Sequence, residues 1–223
     1  MRKNILSPSI LSADFCHLGE DIQKAVEGGA EYIHIDVMDG IFVPQISFGM
    51  CVQKSIRKCT DKVFDTHLMI TEPIRYVEEF ASIGSDIITV HLEACEDVAA
   101  TLKKIRESGC KAGLSIKPAT KTEELKPYLE LVDMILIMSV EPGFGGQSYI
   151  ETSTAKIAET RAMIDESGLD IDLEVDGGIN KENVSMVLEA GANVIVAGSA
   201  VFKDDIRQNA ADFARIMCCD SSM

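Results

Sequence analysis

The sequence predicts an α/β fold, a single (β/α)8 barrel around a closed parallel sheet. Three observations predict it. Eight short apolar, β-branched runs alternate strictly with eight amphipathic stretches over 223 residues, the pattern of parallel strands joined by helical crossovers. That length suits one barrel and would cramp two ordinary domains. Polar residues gather at the C-terminal ends of the strands, where a barrel places its chemistry, and no GxGxxG follows the first strand as an open dinucleotide-binding sheet would want.

The elements follow in order. The first apolar run is 5–10, and helix 17–27 after it stops at Gly28–Gly29. Strand 32–37 leads to helix 49–58. Strand 63–69 leads to helix 74–83, with Pro73 at its first turn and Gly84 at its end. Strand 87–91 precedes helix 95–107, stopped by Gly109. Strand 111–116 precedes helix 122–131. After strand 134–139 comes the Gly-rich stretch 140–150, a long loop and a candidate lid, then helix 153–167, ended by Gly168. Strand 171–176 feeds helix 182–189, closed by Gly191, and strand 194–197 feeds helix 205–217. No linker or low-complexity tract interrupts the series, so 1–223 reads as one domain.

Composition narrows the function. Hydrophobic residues at 46% and charged residues at 26% indicate a folded globular chain. Lys and Arg number 21 against 36 Asp and Glu, a net charge of −15. Such a chain is a poor partner for nucleic acid or an anionic membrane, which need clustered Lys and Arg. An anionic small molecule is still admissible, because backbone N–H groups bind phosphate whatever the net charge. No apolar run nears the ~18 residues of a membrane span. Pro8 and Asp14 break the stretch after Arg2 and Lys3, so no signal peptide is read. Seven cysteines without CxxC spacing, two of them adjacent at Cys218 and Cys219, fit reduced thiols and a cytoplasmic location.

The chemistry-bearing residues recur with the period of two that strands impose. His34, Asp36 and Met38 share a face of the second strand; Asp65, His67 and Met69 share one on the third; Glu174 and Asp176 end the seventh. In a barrel these faces converge on the axis. Two His and two Asp at the mouth would form an N2O2 site for one divalent ion, zinc, iron or manganese. Each alone would pass as a satisfied interior polar group, but four together would be costly without a partner. His17 falls in a helix-start pattern and reads as exposed; His91 ends the fourth strand, where it could back the ligands from behind, and is not assigned to the site. Gly177–Gly178 and Gly198–Ser199 follow strands seven and eight, where barrels often bind phosphate. Gly143, Phe144, Gly145, Gly146 and Gln147 belong to the candidate lid, with Gln147 able to donate hydrogen bonds. Met38, Met69 and Met138 fall near inward strand ends, either as ordinary core or as a water-excluding wall.

Several segments together, in order and spacing, resemble the ribulose-phosphate 3-epimerase family over nearly the whole chain. They are 7–15 (SPSILSADF), 34–40 (HIDVMDG), 42–44 (FVP), 67–69 (HLM), 142–147 (PGFGGQ), 174–179 (EVDGGI) and 197–199 (AGS). The resemblance implies a TIM barrel of the ribulose-phosphate-binding type and a place in pentose phosphate metabolism. It implies a divalent metal on His34, Asp36, His67 and Asp176, with Asp36 and Asp176 as the acid/base pair. It implies sugar contacts from Ser9 and His67, and phosphate contacts from Gly145, Gly146, Gly177, Gly178, Gly198 and Ser199. Gly143 and Phe144 would belong to the covering loop, and a homo-oligomer is expected. Gln45 and Ile41 depart from the residues common in the family at those loop positions. The implied reaction interconverts D-ribulose 5-phosphate and D-xylulose 5-phosphate through an enediolate. Rival readings are an allulose 6-phosphate 3-epimerase, a barrel with decarboxylase or aldol chemistry using Lys117, and a non-catalytic binding barrel.

Overall fold

The computed structural model describes residues 2–219, with the side chain of Cys219 outside that description. Its sheet contains β1 (Ile5–Pro8), β2 (Tyr32–Met38), β3 (Val63–Met69), β4 (Ile87–His91), β5 (Lys111–Ile116), β6 (Met134–Met138), β7 (Asp172–Asp176) and β8 (Val194–Ala197). The spatial order is β1-β8-β7-β6-β5-β4-β3-β2, with parallel pairing. A parallel bridge between Ser9 and His34 brings β1 against β2 and closes the ring. This is the (β/α)8 barrel that the alternation predicts.

Seven of the eight strands match the expected bounds to within one residue. The exception, β1, stops at Pro8, which has no N–H to extend a ladder. Ser9 then caps a 3-10 turn, Ile10–Ser12, accepting from Leu11 N.

The helices are α1 (Leu18–Glu27), α2 (Met50–Ile56), α3 (Val77–Ser82), α4 (Val98–Glu107), α5 (Ser153–Ser167), α6 (Val184–Glu189), α7 (Ser199–Phe202) and α8 (Ile206–Cys219). Helix α1 buries Leu18, Ile22 and Ala25, one stripe at helical spacing, and carries Glu20 and Asp21 in its first turn, where acidic side chains suit the helix dipole. Helix α4 starts three residues later than expected because Asp97 caps it, accepting from Ala100 N at 2.9 Å. Pro73 opens a separate 3-10 turn, Pro73–Arg75, ahead of α3. Thr122–Leu131, expected as an α-helix, is 3-10; Pro127 inside it cannot donate the bond that an α-helical ladder needs there. The four-residue α7 was not anticipated.

Two faces of the sheet do different work. Ile33, Ile35, Phe64, Leu68, Ile88 and Val90 point outward and pack beneath the helices in the main core. Inside, Ile87, Met134 and Val194 join Ile5, Tyr32 and Val63 in a separate apolar cluster. This cluster plugs the N-terminal end of the barrel. Gly113 on β5 keeps the interior narrow: a Cβ there would lie 2.1 Å from Thr89 Oγ1. No helix among the described residues is long and apolar enough to cross a membrane. Cys16, Cys51, Cys59, Cys95, Cys110 and Cys218 have free thiols.

Candidate active site

Above the apolar plug, the inward positions turn polar. The middle of the barrel holds Ser7, His34, Asp65, Thr89 and Glu174, all fully buried. His34 Nδ1 lies 2.7 Å from Asp65 Oδ2, and Ser7 Oγ donates to the same oxygen at 3.0 Å. Both oxygens of Glu174 lack hydrogen-bond partners. Burial and the neighbouring Asp65 charge push the Glu174 carboxyl well above the ordinary range.

One layer higher, Asp36, His67 and Asp176 come together with His34. His34 Nε2 is 3.3 Å from Asp36 Oδ1, His67 Nδ1 is 3.1 Å from the same oxygen, and His67 Nδ1 is 3.9 Å from Asp176 Oδ2. Ser9 Oγ donates to Asp36 Oδ2 at 2.5 Å. Burial works against ionisation of Asp36, but His34 and His67 outweigh it and hold its pKa well below the carboxylate range. Asp176 goes the other way: burial, then the Asp36 charge, pushes it up to about 6. His34 is held well above the usual imidazole range, since the Asp65 and Asp36 carboxylates outweigh its burial.

The four sequence-predicted ligands therefore converge, with one donor atom from each lying within 4.8 Å of the others. The buried His34 Nε2 faces Asp36 without making a hydrogen bond, and a cation held between the two would satisfy both. Tetrahedral ligands with bonds of 2.0–2.2 Å stand roughly 3.3–3.6 Å apart, and the observed separations of 3.1, 3.3 and 3.9 Å bracket that range. Two imidazoles and two carboxylates are the donor set of a borderline divalent ion. The residues present fit such an ion.

A cavity of about 510 Å³ opens over this cluster. Asp36 and Asp176 line it, together with Ser9 and all three methionines, Met38, Met69 and Met138. The Asp176 side chain is 16% exposed and that of Asp36 5%, whereas His34 and His67 are at 0% and do not line the cavity. Gly143, Phe144, Gly145, Gly146, Gly177, Gly178, Gly198 and Ser199 line it as well. Sequence reasoning did not assign Ser12 or Lys203, which also line the cavity. They lie in turns after strands, where no periodicity marks an inward position.

The loop after β6 is shaped by its own bonds. Ser139 Oγ donates to the carbonyls of Asp176 and Gly177, and Ile150 N returns to Ser139 O. Gln147 Nε2 donates to Glu141 O and Phe144 O, so its amide staples the loop crown. Phe144 is 55% exposed at the rim. Lys117 is not in the cavity wall; its Nζ sits 3.8 Å above the Phe42 ring. His17 is exposed and paired with Asp14, as expected. His91, left out of the predicted site, is buried with its Nε2 2.9 Å from that of His67.

A closed barrel with two carboxylates and several glycine turns lining a cavity at its C-terminal mouth has the architecture of a barrel enzyme. The model of the ribulose-phosphate 3 epimerase family matches residues 5–202. The ribulose-phosphate 3-epimerase of Synechocystis sp. is 55% identical over 205 residues, covering 91% of this chain and 89% of the relative. That of Bacillus subtilis is 48% identical over 206 residues, covering 92% and 95%. The chain belongs to the ribulose-phosphate 3-epimerase family, isomerases that act on carbohydrates. The 3-hexulose-6-phosphate synthase of Salmonella typhimurium shares the fold, with a TM-score of 0.73, 17% identity and coverage of 97% and 99%.

Proposed function

We propose that this chain interconverts D-ribulose 5-phosphate and D-xylulose 5-phosphate at carbon 3, with Asp36 and Asp176 as the proton-transfer groups. The observation that carries the reading is the pair of aspartates on β2 and β7, both lining one cavity and both beside His67. Carbon 3 of a 2-ketose is α to the carbonyl, so its proton can be removed to give an enediolate. Inversion needs a base on one face and an acid on the other, and carboxylates from β2 and β7 supply two directions of approach. Ser9, bonded to Asp36 Oδ2, fixes the orientation of that carboxylate. When bound by His34, Asp36, His67 and Asp176, a divalent ion supplies Lewis-acid stabilisation of the enediolate oxygens; zinc, iron and manganese all suit the donors.

The phosphate end is assigned to Gly177–Gly178 and Gly198–Ser199, together with Gly145 and Gly146. Binding energy from this remote group holds carbon 3 between the aspartates. Met38, Met69 and Met138 keep the reacting carbons dry, and Gly143 and Phe144 belong to the loop that covers them.

The test is a kcat/KM comparison of ribulose 5-phosphate, ribulose and allulose 6-phosphate. The pentose phosphate is expected to lead. Equal values for ribulose and its phosphate would remove the glycine turns as a phosphate site, and a higher value for allulose 6-phosphate would make the six-carbon sugar the substrate.

A further inference from the structure

The ring of His67 is held at both nitrogens. Nδ1 faces Asp36 and Asp176 at 3.1 and 3.9 Å. Nε2 points the other way and lies 2.9 Å from Nε2 of His91. The ring planes lie at 27° with centroids 5.0 Å apart, so the two imidazoles meet nearly in plane, edge to edge. Both side chains are fully buried.

Two ring nitrogens at that distance form a hydrogen bond only when one bears a proton and the other a lone pair. The tautomer of one ring therefore dictates the tautomer of the other. Asp36, 3.1 Å from His67 Nδ1, would draw a proton onto that nitrogen in the metal-free chain; with a cation there instead, Glu93 settles the tautomer of His91. Its Oε2 lies 3.4 Å from His91 Nδ1, long for a hydrogen bond but close enough for its charge to favour a proton on that nitrogen. Glu93 cannot swing away, because Oε1 accepts from Lys117 N at 2.8 Å and from Thr120 Oγ1. Phe42 packs on the His91 ring at 4.9 Å, and Lys117 Nζ covers Phe42 in turn.

With its proton on Nδ1, His91 offers an Nε2 lone pair. His67 must then carry its proton on Nε2 and keep a lone pair on Nδ1, the nitrogen that faces the two aspartates. We propose that His91 and Glu93 are positioning residues that lock His67 in its metal-binding tautomer. The proposal rests on the reading of His34, Asp36, His67 and Asp176 as a metal site. Outer partners of this kind orient metal-bound imidazoles generally, and their loss costs roughly 10–100-fold in affinity.

Glu93→Gln is the sharpest variant. Its carbonyl oxygen is claimed by Lys117 N and Thr120, so its NH2 turns toward His91 Nδ1. That donor demands a lone pair on Nδ1 and puts the His91 proton on Nε2, against His67. His91→Leu removes the acceptor. His91→Gln restores one, since its amide can present a carbonyl oxygen to His67 while its NH2 faces Glu93.

The experiment measures zinc affinity of the metal-free chain by chelator competition, alongside side-chain 15N spectra of the zinc-loaded wild type. Glu93→Gln and His91→Leu are expected to bind zinc roughly 10–100-fold more weakly, with His91→Gln close to wild type. The spectra are expected to show His67 protonated on Nε2 and His91 on Nδ1. Equal affinities in all four proteins, or a His91 protonated on Nε2, would overturn the relay while leaving the metal site intact. A wild-type chain that binds no zinc, iron or manganese would overturn the metal reading beneath it. The wild-type spectra decide the matter even where a variant fails to fold.

Discussion

Asp65 Oδ2 accepts the Nδ1 proton of His34 across 2.7 Å, in a part of the barrel interior with no exposure to solvent. With that proton kept on Nδ1, Nε2, 3.3 Å from Asp36 Oδ1, is the nitrogen left to give its lone pair to a cation. The two histidines are thus steadied differently, His34 by an anion and His67 by a second imidazole. Asp65→Ala should weaken zinc binding roughly 10–100-fold, and Asp65→Asn, which keeps a carbonyl acceptor, should weaken it less. Chelator competition on both variants checks the order. Equal loss in the two would mean that the charge of Asp65, and not its acceptor, supports the site.

Gly178 tests the proposed phosphate site. It has φ +66°, and a Cβ there would stand 2.3 Å from Tyr149 N, a backbone atom that cannot swing aside. Gly178→Ala should push the loop after β6 away from the β7 turn. Overpacking of this kind costs about 1–3 kcal/mol, and each 1.4 kcal/mol is tenfold in binding. The expected result is a KM for ribulose 5-phosphate raised tenfold or more, with kcat changed less and inhibition by inorganic phosphate weakened in parallel. A fall in kcat alone would place Gly178 away from the phosphate.

Glu93 gives a pH signature. Burial opposes its ionisation, but the neighbouring His91 and the bonds from Thr120 and Lys117 N outweigh that and bring its pKa down to about 2 from an ordinary 4.5. A depressed carboxyl pKa means that folding favours the charged form. The stabilisation is present in full above about pH 4.5 and disappears as pH falls through 2. Glu93→Gln should lower stability at neutral pH and flatten its decline across that window. Urea midpoints measured from pH 7 to 2 check it; parallel curves for the two proteins would show that Glu93 makes no such contribution.

Much of this was legible because strands repeat every two residues. His34 and Asp36, Asp65 and His67, and Glu174 and Asp176 each declare a shared inward face, and the barrel brings those faces to one axis. The Met trio lines the cavity for the same reason. His91 obeys the rule too, two positions after Thr89 on β4, and a stricter use of the periodicity would have placed it inside. What periodicity cannot give is stagger between strands, which decides that His67 meets His91 and that His34 meets Asp65. Nor does it reach turns: Lys203 and Ser12 enter the wall through backbone that has no repeat, and the 3-10 winding around Pro127 follows from a single missing N–H.

The last prediction concerns the origin of the proton at carbon 3. Asp36 lies two residues before the end of β2 and Asp176 ends β7, and both reach the same cavity from different sides of the barrel. A ketose lying between them would present one face of carbon 3 to each carboxylate. The proton taken by one aspartate is then not the proton returned by the other, so the new hydrogen comes from solvent. In heavy water under initial-rate conditions, xylulose 5-phosphate should carry deuterium at carbon 3 in nearly every molecule formed. A single carboxylate serving both faces would hand back part of the original hydrogen, and substantial protium in the first-formed product would rule out the two-aspartate assignment. Asp36→Asn and Asp176→Asn should each lower kcat by several orders of magnitude, since each loses a proton-transfer group and a charged ligand at once. Because the variants remove both roles together, they cannot separate base from ligand. The isotope content of the product can, since it follows the path of the proton in the intact site.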